Sequence, residues 1–578
     1  MDESPKKAAL RDDRVWLAAI VVLAVAMRVA FMTMPRVVRW DEAAHVMIAR
    51  SLLAGRGFSE AVGERDVQNG PMVAYLALPG VALGWPVPWT AAGIAYVCMG
   101  GLLSLPVYGK GRCLYNRRIA LLAAALVAFY PSLVAGPLYW GTMTEPPYHL
   151  FIFSGLYGTC RLIEAMSERA SARHIAGWSS GLGAAIGLAC LTRPEAVAYL
   201  VVMLFCLVLA GAVRPFTSPD RVASRLARLR SGLGAPALAS IIAVSVFLAV
   251  NLPYTIYIHR ITGQWAISGK QGLAVDIAHS IVFGDAVEQD LVAARLDSSG
   301  REMMWFSLEQ YDKSVVSAAL QNPQQFLNQV RRNARETVKA LFSQDLFIPW
   351  VLALIALGLF GRPWPRARLA RELLLILMLV PLVVLWAFFV ISRLLVVALP
   401  VGLLWAAVGL EQLAAWAQGT AALLGASGPE AANRLEQVGR ATTGVLIAFV
   451  LAAFVGMGLS RARYELIRQP FWRVEEADWL AGHLTASSPL MARDSEVALY
   501  ADLPLVGFPN AQWPQVLAYG RARGARYLVV EEKMIRDLRP QLSGLLNTSA
   551  PPAGLKFLAA LPGLNATRTL VYAFEAGS

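Results

Sequence analysis

The sequence predicts a polytopic α-helical membrane protein with a small C-terminal α/β domain outside the membrane, and three observations support this fold class. Of the 578 residues, 57% are hydrophobic and 16% are charged, and the mean hydropathy is +0.51. This composition is far too apolar for a soluble chain of this length. Apolar runs of span length alternate with short basic loops, and after residue 460 the pattern changes to helical and β-rich segments without a span.

The net charge of +13 is better explained by topology than by a nucleic-acid partner. Lysine and arginine fall mainly in short loops between apolar runs, which is the positive-inside pattern of membrane proteins. Basic patches interleaved with aromatic residues are not found in a soluble region of the sequence. We therefore expect the lipid bilayer, and no nucleic acid, as a partner.

The cysteines and the N-terminus indicate where the chain resides. The five cysteines lie in or beside apolar runs without a CxxC pair, so neither a disulfide framework nor a zinc site is predicted. Residues 1–14 form a basic tail before a long apolar run without a small-residue cleavage site. This pattern predicts a cytoplasmic tail and a retained first span, hence a multi-pass protein of the plasma (inner) membrane.

Residues 15–460 are predicted to form a membrane domain of about 11 spans, since ~17–25 apolar residues cross a bilayer as a helix. The predicted spans are 15–34, 89–108, 119–138, 146–160, 175–191, 196–213, 235–253, 346–361, 372–391, 394–413 and 441–460. The apolar run Pro71–Leu83 is short and broken by Pro79-Gly80, so we interpret it as a juxtamembrane helix. Whether residues 71–85 cross the membrane is left open by the sequence. Arg28 in the first span is expected to snorkel to the interface or to find a partner, and snorkelling is favoured.

Two longer segments are predicted to lie outside the membrane. Residues 254–345 form a polar, partly helical segment, and a loop this long in a compact membrane domain is usually functional. In residues 461–578, β-rich runs at 526–530 and 569–572 alternate with helical patterns at 513–523 and 533–545. This alternation predicts a small α/β domain. The sequence leaves open whether the domain guides an acceptor or packs on the outer loops.

The short stretch 39–45, just outside the first span, is the first candidate for chemistry. Asp41 stands where the N-cap residue of a helix over 41–54 is expected, and Glu42 lies in the first turn. The positive end of a helix keeps such a carboxylate ionised and able to accept a proton. From spacing alone, a capping role for Asp41 and a catalytic role are equally consistent.

The predicted topology places several more charged side chains at the outer ends of spans. With Asp41 they form a set of carboxylates and cations from distant loops: Glu42, His45, Glu145, Arg193, Glu195, Lys270 and Arg393. Arginine binds phosphate through two hydrogen bonds, and lysine binds it as a point charge. A carboxylate beside a bound hydroxyl acts as a general base. The combination suits transfer of a group from a lipid phosphate to a hydroxyl.

At these residues the chain resembles the GT-C superfamily of membrane glycosyltransferases. Within it, the resemblance is to the protein O-mannosyltransferase family and the aminoarabinose transferase that modifies lipid A. It covers about residues 15–415 and rests on Asp41-Glu42 and on later matches at residues 143–146, 191–195, 257–270 and 392–400. The chain departs from the family pattern at Asn69-Gly70-Pro71 and at Leu394, which follows Arg393.

The resemblance implies a GT-C-like fold and a polyprenyl-phosphate sugar donor, with single inverting displacement at the anomeric carbon by a hydroxyl acceptor that the sequence does not name. Asp41 would be the base, and Glu42 and Glu145 would orient acceptor or sugar. Arg193, Lys270 and Arg393 would contact the donor phosphate or sugar, and His45 would be a polar contact. No cofactor is expected, and a divalent metal is left open.

Two other classes compete with a transferase. A transporter or flippase usually carries polar groups or broken helices near the bilayer midplane, often in two related halves. Here the charges collect at span ends, and the sequence shows no matching halves. A scaffold that only presents the C-terminal domain would not require so many charged residues in the outer loops.

Overall fold

The computed structural model describes residues 5–217, 225–270, 272–312, 315–425 and 429–575. Its helical body with a small C-terminal sheet confirms the predicted fold class. Within those ranges, seven helices are long and apolar enough to cross a membrane: Asp13–Met32, Ala172–Thr192, Ala196–Val213, Gly234–Thr262, Arg368–Ala387, Ser392–Trp416 and Ala441–Ile467. The number of about 11 spans stays a prediction, and Arg221 of the predicted basic loop lies outside the described residues.

In the described part of the first half of the chain, the regular elements are all helices. The bounds are α1 Pro5–Met32, α2 Asp41–Leu53, α3 Pro71–Ala82, α4 Val87–Thr90, α5 Gly100–Leu102, α6 Ser104–Leu114, α7 Arg117–Phe129, α8 Pro131–Val134, α9 Gly136–Trp140, α10 Glu145–Ser167, α11 Ala172–Thr192, α12 Ala196–Thr217 and α13 Arg225–Thr262. A π-helix, Gly93–Met99, lies between α4 and α5.

The second half contains the long outer segment, the remaining apolar helices and the C-terminal domain. The helices of the first two parts are α14 Gly272–Phe283, α15 Ala286–Ala294, α16 Val315–Gln321, α17 Pro323–Leu341, α18 Pro349–Phe360, α19 Arg366–Leu377, α20 Ser392–Leu395, α21 Leu399–Gly425 and α22 Pro429–Ile467. The C-terminal elements are α23 Trp472–His483, β1 Leu490–Ala492, α24 Ser495–Tyr500, β2 Leu505–Gly507, α25 Trp513–Ala522, β3 Tyr527–Glu531, α26 Glu532–Leu538, β4 Leu555–Pro562 and β5 Arg568–Phe574.

Several predicted spans are not continuous α-helices. The span predicted at 119–138 breaks at Tyr130 and Ala135, because Pro131 and Pro137 each start a new short helix. The span predicted at 372–391 changes to a 3₁₀ helix over Val380–Ala387 and is irregular from Phe388 to Ile391. The 12-residue helix α3 is about 18 Å long, shorter than a hydrocarbon core of about 30 Å. Its length favours the juxtamembrane interpretation.

Arg28 does not snorkel, contrary to the sequence prediction. Its side chain is 1% exposed, and its guanidinium donates to the carbonyls of Ala24, Ala128 and Leu133 at 3.1, 3.3 and 3.5 Å. The last two carbonyls belong to the last turn of α7 and to the short helix α8, on either side of the break at Tyr130, where helical partners are lost. A broken neighbouring helix thus supplies acceptors that a continuous helix would not offer.

The C-terminal domain is built on a five-stranded mixed sheet of order β2-β1-β3-β5-β4. β1 pairs in parallel with β2 and β3, whereas β5 runs antiparallel to β3 and β4. The runs predicted as strands at 526–530 and 569–572 correspond to β3 and β5. The helical patterns predicted at 513–523 and 533–545 correspond to α25 and, in the first part of the second pattern, to α26. The last long helix, α22, continues to Ile467, past the predicted domain boundary at 461.

This domain packs directly on the outer segments of the membrane body. Buried side chains of α2 share one apolar core with α23, α24, β2 and β5, for example Val46 with Leu480 and Val571. A second contact is ionic, because the carboxylate of Asp290 in α15 accepts from Arg539 at 2.8 and 3.1 Å and from Arg493 at 3.0 Å. Of the two possibilities left open by the sequence, packing on the outer loops is therefore realised.

Candidate active site

Asp41 is the first residue of α2, and the N-cap position belongs to Trp40 rather than to Asp41 as predicted. Trp40 has φ 53°, an unusual conformation for an aromatic residue, and its side chain makes no capping bond. Met143, two residues before Glu145, also has a positive φ of 56°. Such strain costs about 1–3 kcal/mol per residue and is often found at functional sites.

Glu42 lies away from the other predicted residues. Its carboxylate is fully buried and accepts from both terminal nitrogens of the Arg36 guanidinium at 2.7 and 2.8 Å. Both oxygens are therefore engaged within the segment that leads into α2. Glu42 therefore holds the turn between α1 and α2, and its predicted catalytic role stays a prediction.

The other seven residues of the predicted set meet at one cavity of about 360 Å³, which we call the central cavity. It is lined by Asp41 and His45 of α2, by Glu145, Arg193 and Glu195 around the ends of α10, α11 and α12, and by Lys270 and Arg393. These positions are up to 352 residues apart in sequence, from Asp41 to Arg393. The convergence of distant loops that the sequence predicted is thus present.

Arg193 bridges two carboxylates in the wall of this cavity. Its guanidinium lies 2.9 Å from Glu195 Oε1 and 3.7 Å from Glu145 Oε1, and the other oxygen of Glu145 accepts from the Thr142 hydroxyl at 2.6 Å. Burial works to lower the pKa of Arg193, but Glu195 and Glu145 outweigh it, and the pKa is raised. Burial works to raise the pKa of Glu195, but Arg193 outweighs it, and the pKa is lowered. Arg193 and Glu195 are therefore ionised at neutral pH.

Asp41 is the accessible carboxylate of the set. Its side chain is 49% exposed, whereas that of Glu145 is 1% exposed, and Arg393 Nη1 lies 3.9 Å from Asp41 Oδ2. The exposed ammonium of Lys270 adds positive charge, which favours the ionised forms of Asp66 and Glu195. A carboxylate, an arginine and a lysine are therefore open to a ligand in the same cavity.

His45 lies on the buried face of α2, one turn after Asp41. Its side chain is 2% exposed, and burial lowers its pKa to about 4, with Asp41 opposing the shift and Lys270 adding to it. His45 is therefore neutral at pH 7, which suits a polar contact in the cavity wall.

We expect His45 to make the protein acid-sensitive. Because the folded pKa of about 4 lies below the ordinary histidine value of 6.5, the unfolded chain binds the proton first, so stability falls as pH drops from 6.5 to 4. The full loss is roughly 3 kcal/mol. Thermal unfolding of His45→Gln should consequently show a weaker pH dependence than the wild type in this range. The exposed His483→Gln is the control; an equal pH dependence of His45→Gln and wild type would contradict the expectation.

Sequence reasoning missed much of the cavity wall. The missed lining residues include Gln68, Asn69, Thr144, Trp305, Phe388 and Phe389. Asn69 belongs to the departure Asn69-Gly70-Pro71, where Asp66 accepts the amide of Asn69 at 2.7 Å and Tyr254 donates to its carbonyl at 3.0 Å. Phe388 and Phe389 supply aromatic surface just before Arg393, although the residue after Arg393 is Leu394. The sequence signal that could have identified this part of the wall is the pair of phenylalanines near the end of the span predicted at 372–391.

Among the described residues, no group of three or more His, Cys, Asp or Glu side chains is arranged to hold a metal ion. The expectation of no cofactor, with a metal left open, stays a prediction.

Comparisons with known proteins agree with this fold. Residues 68–227 match the family model described as dolichyl-phosphate-mannose-protein mannosyltransferase. A comparison with curated protein sequences finds no match. Among solved structures, ArnT from Cupriavidus metallidurans bound to undecaprenyl phosphate is similar with a TM-score of 0.55 and 15% identity, over 97% of this chain and 98% of that chain. The archaeal oligosaccharyltransferase AglB from Archaeoglobus fulgidus, in complex with an inhibitory peptide and a dolichol-phosphate, has a TM-score of 0.52 and 12% identity, over 98% and 74%.

The chain shares the fold of ArnT and AglB. The mannosyltransferase-like match includes Glu145, Arg193 and Glu195, whereas Asp41, Lys270 and Arg393 lie outside it. The GT-C fold spans nearly the whole chain, including the C-terminal domain. The predicted GT-C-like fold is thereby confirmed, and the match over residues 68–227 agrees with the predicted mannosyltransferase-like resemblance.

Proposed function

We propose that this protein is a membrane glycosyltransferase that moves a sugar from a polyprenyl-phosphate donor to a hydroxyl acceptor on the extracytoplasmic face. The observation that carries the proposal is the central cavity, in which the accessible carboxylate of Asp41 faces the cations Arg393 and Lys270. Bound dolichol-phosphate and undecaprenyl phosphate in the similar structures support the class of donor.

The residues of the central cavity can be assigned to different parts of the donor. Arg393 and Lys270 would bind the donor phosphate, and the apolar surface of Leu385, Phe388 and Phe389 would accept the first isoprene units. Arg193 would hold Glu145 and Glu195 in place, so that Glu195, 24% exposed, can accept sugar hydroxyls. His45 would complete this polar wall.

The chemical step would be one inverting displacement. Asp41 would take the proton of the acceptor hydroxyl as its oxygen bonds to the anomeric carbon. The bond between that carbon and the phosphate oxygen would break, and polyprenyl phosphate would leave as an anion stabilised by Arg393 and Lys270. The sugar and acceptor are not specified by these residues.

The test is sugar release from a panel of labelled polyprenyl-phosphate sugars in membranes that contain the protein. Formation of polyprenyl phosphate and of a labelled acceptor is the expected result, with the anomeric configuration inverted in the product's NMR spectrum. A transporter would move the lipid-linked sugar without breaking its bond to phosphate. Intact donor on both sides of the membrane, with every sugar in the panel, would therefore reject the proposal.

A further inference from the structure

The segment between α1 and α2 is held by side chains that come more than 400 residues later. The N–H of Val37 donates to Gln469 Oε1 at 2.6 Å, and the N–H of Val38 donates to the Tyr500 hydroxyl at 2.8 Å. This segment is neither helix nor strand, so its backbone donors depend on such partners.

The third of these bonds reaches the residue next to Asp41. The N–H of Trp40 donates to Glu496 Oε1 at 3.0 Å. Trp40 is the strained cap of α2, and its carbonyl accepts the N–H of Ala44 at 3.1 Å, at the start of the helix. The bond from Glu496 therefore acts on the backbone of Trp40. The conformation of that residue determines where α2 begins and hence where the Asp41 carboxylate is placed.

Glu496 is itself fixed within the C-terminal domain. Its side chain is 1% exposed and forms an ion pair with Arg473. Arg473 also contacts Asp494 at 2.7 Å and Glu531 at 2.9 Å, so its guanidinium is held by three carboxylates from α24, the loop before it and β3. An acceptor anchored in this way has little freedom to follow Trp40 if the loop moves.

We propose that the C-terminal domain, through Glu496 and Tyr500, positions the Asp41 carboxylate for sugar transfer. Glu496 and Tyr500 are positioning residues, because they act on the backbone of Val38 and Trp40 and do not line the central cavity. This inference rests on the proposed function, since it assigns the domain a part in the same reaction.

The test compares Glu496→Met with Glu496→Gln in the purified full-length protein. Methionine keeps the size of the side chain but removes the acceptor, whereas glutamine keeps an oxygen for the Trp40 N–H. Misplacement of a reacting group by about 1 Å can cost about 100-fold, so we expect kcat to fall about 10- to 100-fold in Glu496→Met. We expect Glu496→Gln to stay within about threefold of wild type, because Arg473 retains two other carboxylates.

Binding of undecaprenyl phosphate provides the readout that separates positioning from a general structural role. Its Kd should be unchanged in both variants, because Lys270 and Arg393 are not touched. Asp502→Asn is the matched control, since Asp502 contacts Arg50 at 3.0 Å across the same domain contact with a side chain that is 84% exposed. Its kcat should equal that of wild type.

Three results would overturn the inference: an unchanged kcat in Glu496→Met, equal losses in the methionine and glutamine variants, or a loss of lipid binding that matches the loss of kcat. If Glu496→Met does not fold, Tyr500→Phe replaces it in the test, because this variant removes the hydroxyl that accepts from the N–H of Val38. A fall in kcat with unchanged Kd would then support the inference, and an unchanged kcat would overturn it. Absence of transfer in the wild type would instead reject the proposed function.

Discussion

Replacing Asp41 with asparagine should lower the rate of sugar transfer by about 10²- to 10⁴-fold, the usual contribution of a general base. Asparagine has the same shape and still fits the first turn of α2, but its amide cannot accept the acceptor's proton. Donor affinity should change little, because the contact of Asp41 with Arg393 is long, at 3.9 Å, and half-exposed. The measurement is single-turnover release of polyprenyl phosphate beside equilibrium binding of the lipid.

Asp285→Asn is the matched control for this variant. Asp285 also stands at a helix N-terminus in the outer segments, where it accepts the N–H of Glu288 at 2.8 Å, and it does not line the central cavity. Since asparagine caps a helix about as well as aspartate, its rate should equal that of wild type. A transfer rate in Asp41→Asn within a few-fold of the control would remove Asp41 from its proposed role.

Arg193→Met should produce the largest loss of stability among substitutions in the cavity wall. It leaves Glu145 and Glu195 without the cation that lies between them, and breaking such a buried ion pair typically costs about 3–5 kcal/mol. The loss should appear as a lower temperature of thermal unfolding in detergent at pH 7. Arg161→Met, which breaks the half-exposed pair with Glu164 at 2.6 Å, is the control, with an expected loss below about 1 kcal/mol.

The effect of Arg193→Met should also depend on pH. In the wild type the pKa of Glu195 is lowered, so its stabilising contribution is present above the unfolded pKa and is lost as pH falls through the folded one. Without Arg193, burial still acts to raise the pKa of Glu195 and its strongest opposing group is gone, so we expect the variant to lose stability as pH rises. The difference between the two proteins should therefore be larger at pH 7 than at pH 4.5. A difference that stays constant with pH would show that the arginine acts only through packing.

The sequence contains enough information to predict the fold class and most of the candidate site. Apolar runs and basic loops identify a membrane body, and topology brings the outer ends of spans to one face. For this reason Asp41, Glu145, Arg193, Lys270 and Arg393 could be grouped before their contacts were known. The elements of the C-terminal domain could be predicted because local periodicity specifies them.

The contacts that the sequence did not reveal share a physical origin, because local patterns do not encode them. Glu42 pairs with Arg36 across an irregular turn, at a spacing that no helical rule describes. Arg28 finds carbonyls freed by a break about 100 residues later. Asp41 was expected to cap α2, but the long-range bond to Glu496 allows the strained Trp40 to take that position.

The apolar core shared by α2 and the C-terminal domain has a consequence for biosynthesis. Val46 lies in one buried apolar core with Leu480 and Val571, and residues late in the chain leave the ribosome after α2. A nascent chain that has completed its helical body still lacks these partners of α2, so under the proposed function it would hold donor lipid without a fixed base. Catalytic competence would be acquired only after translation ends, which would keep incomplete molecules from consuming lipid-linked sugar.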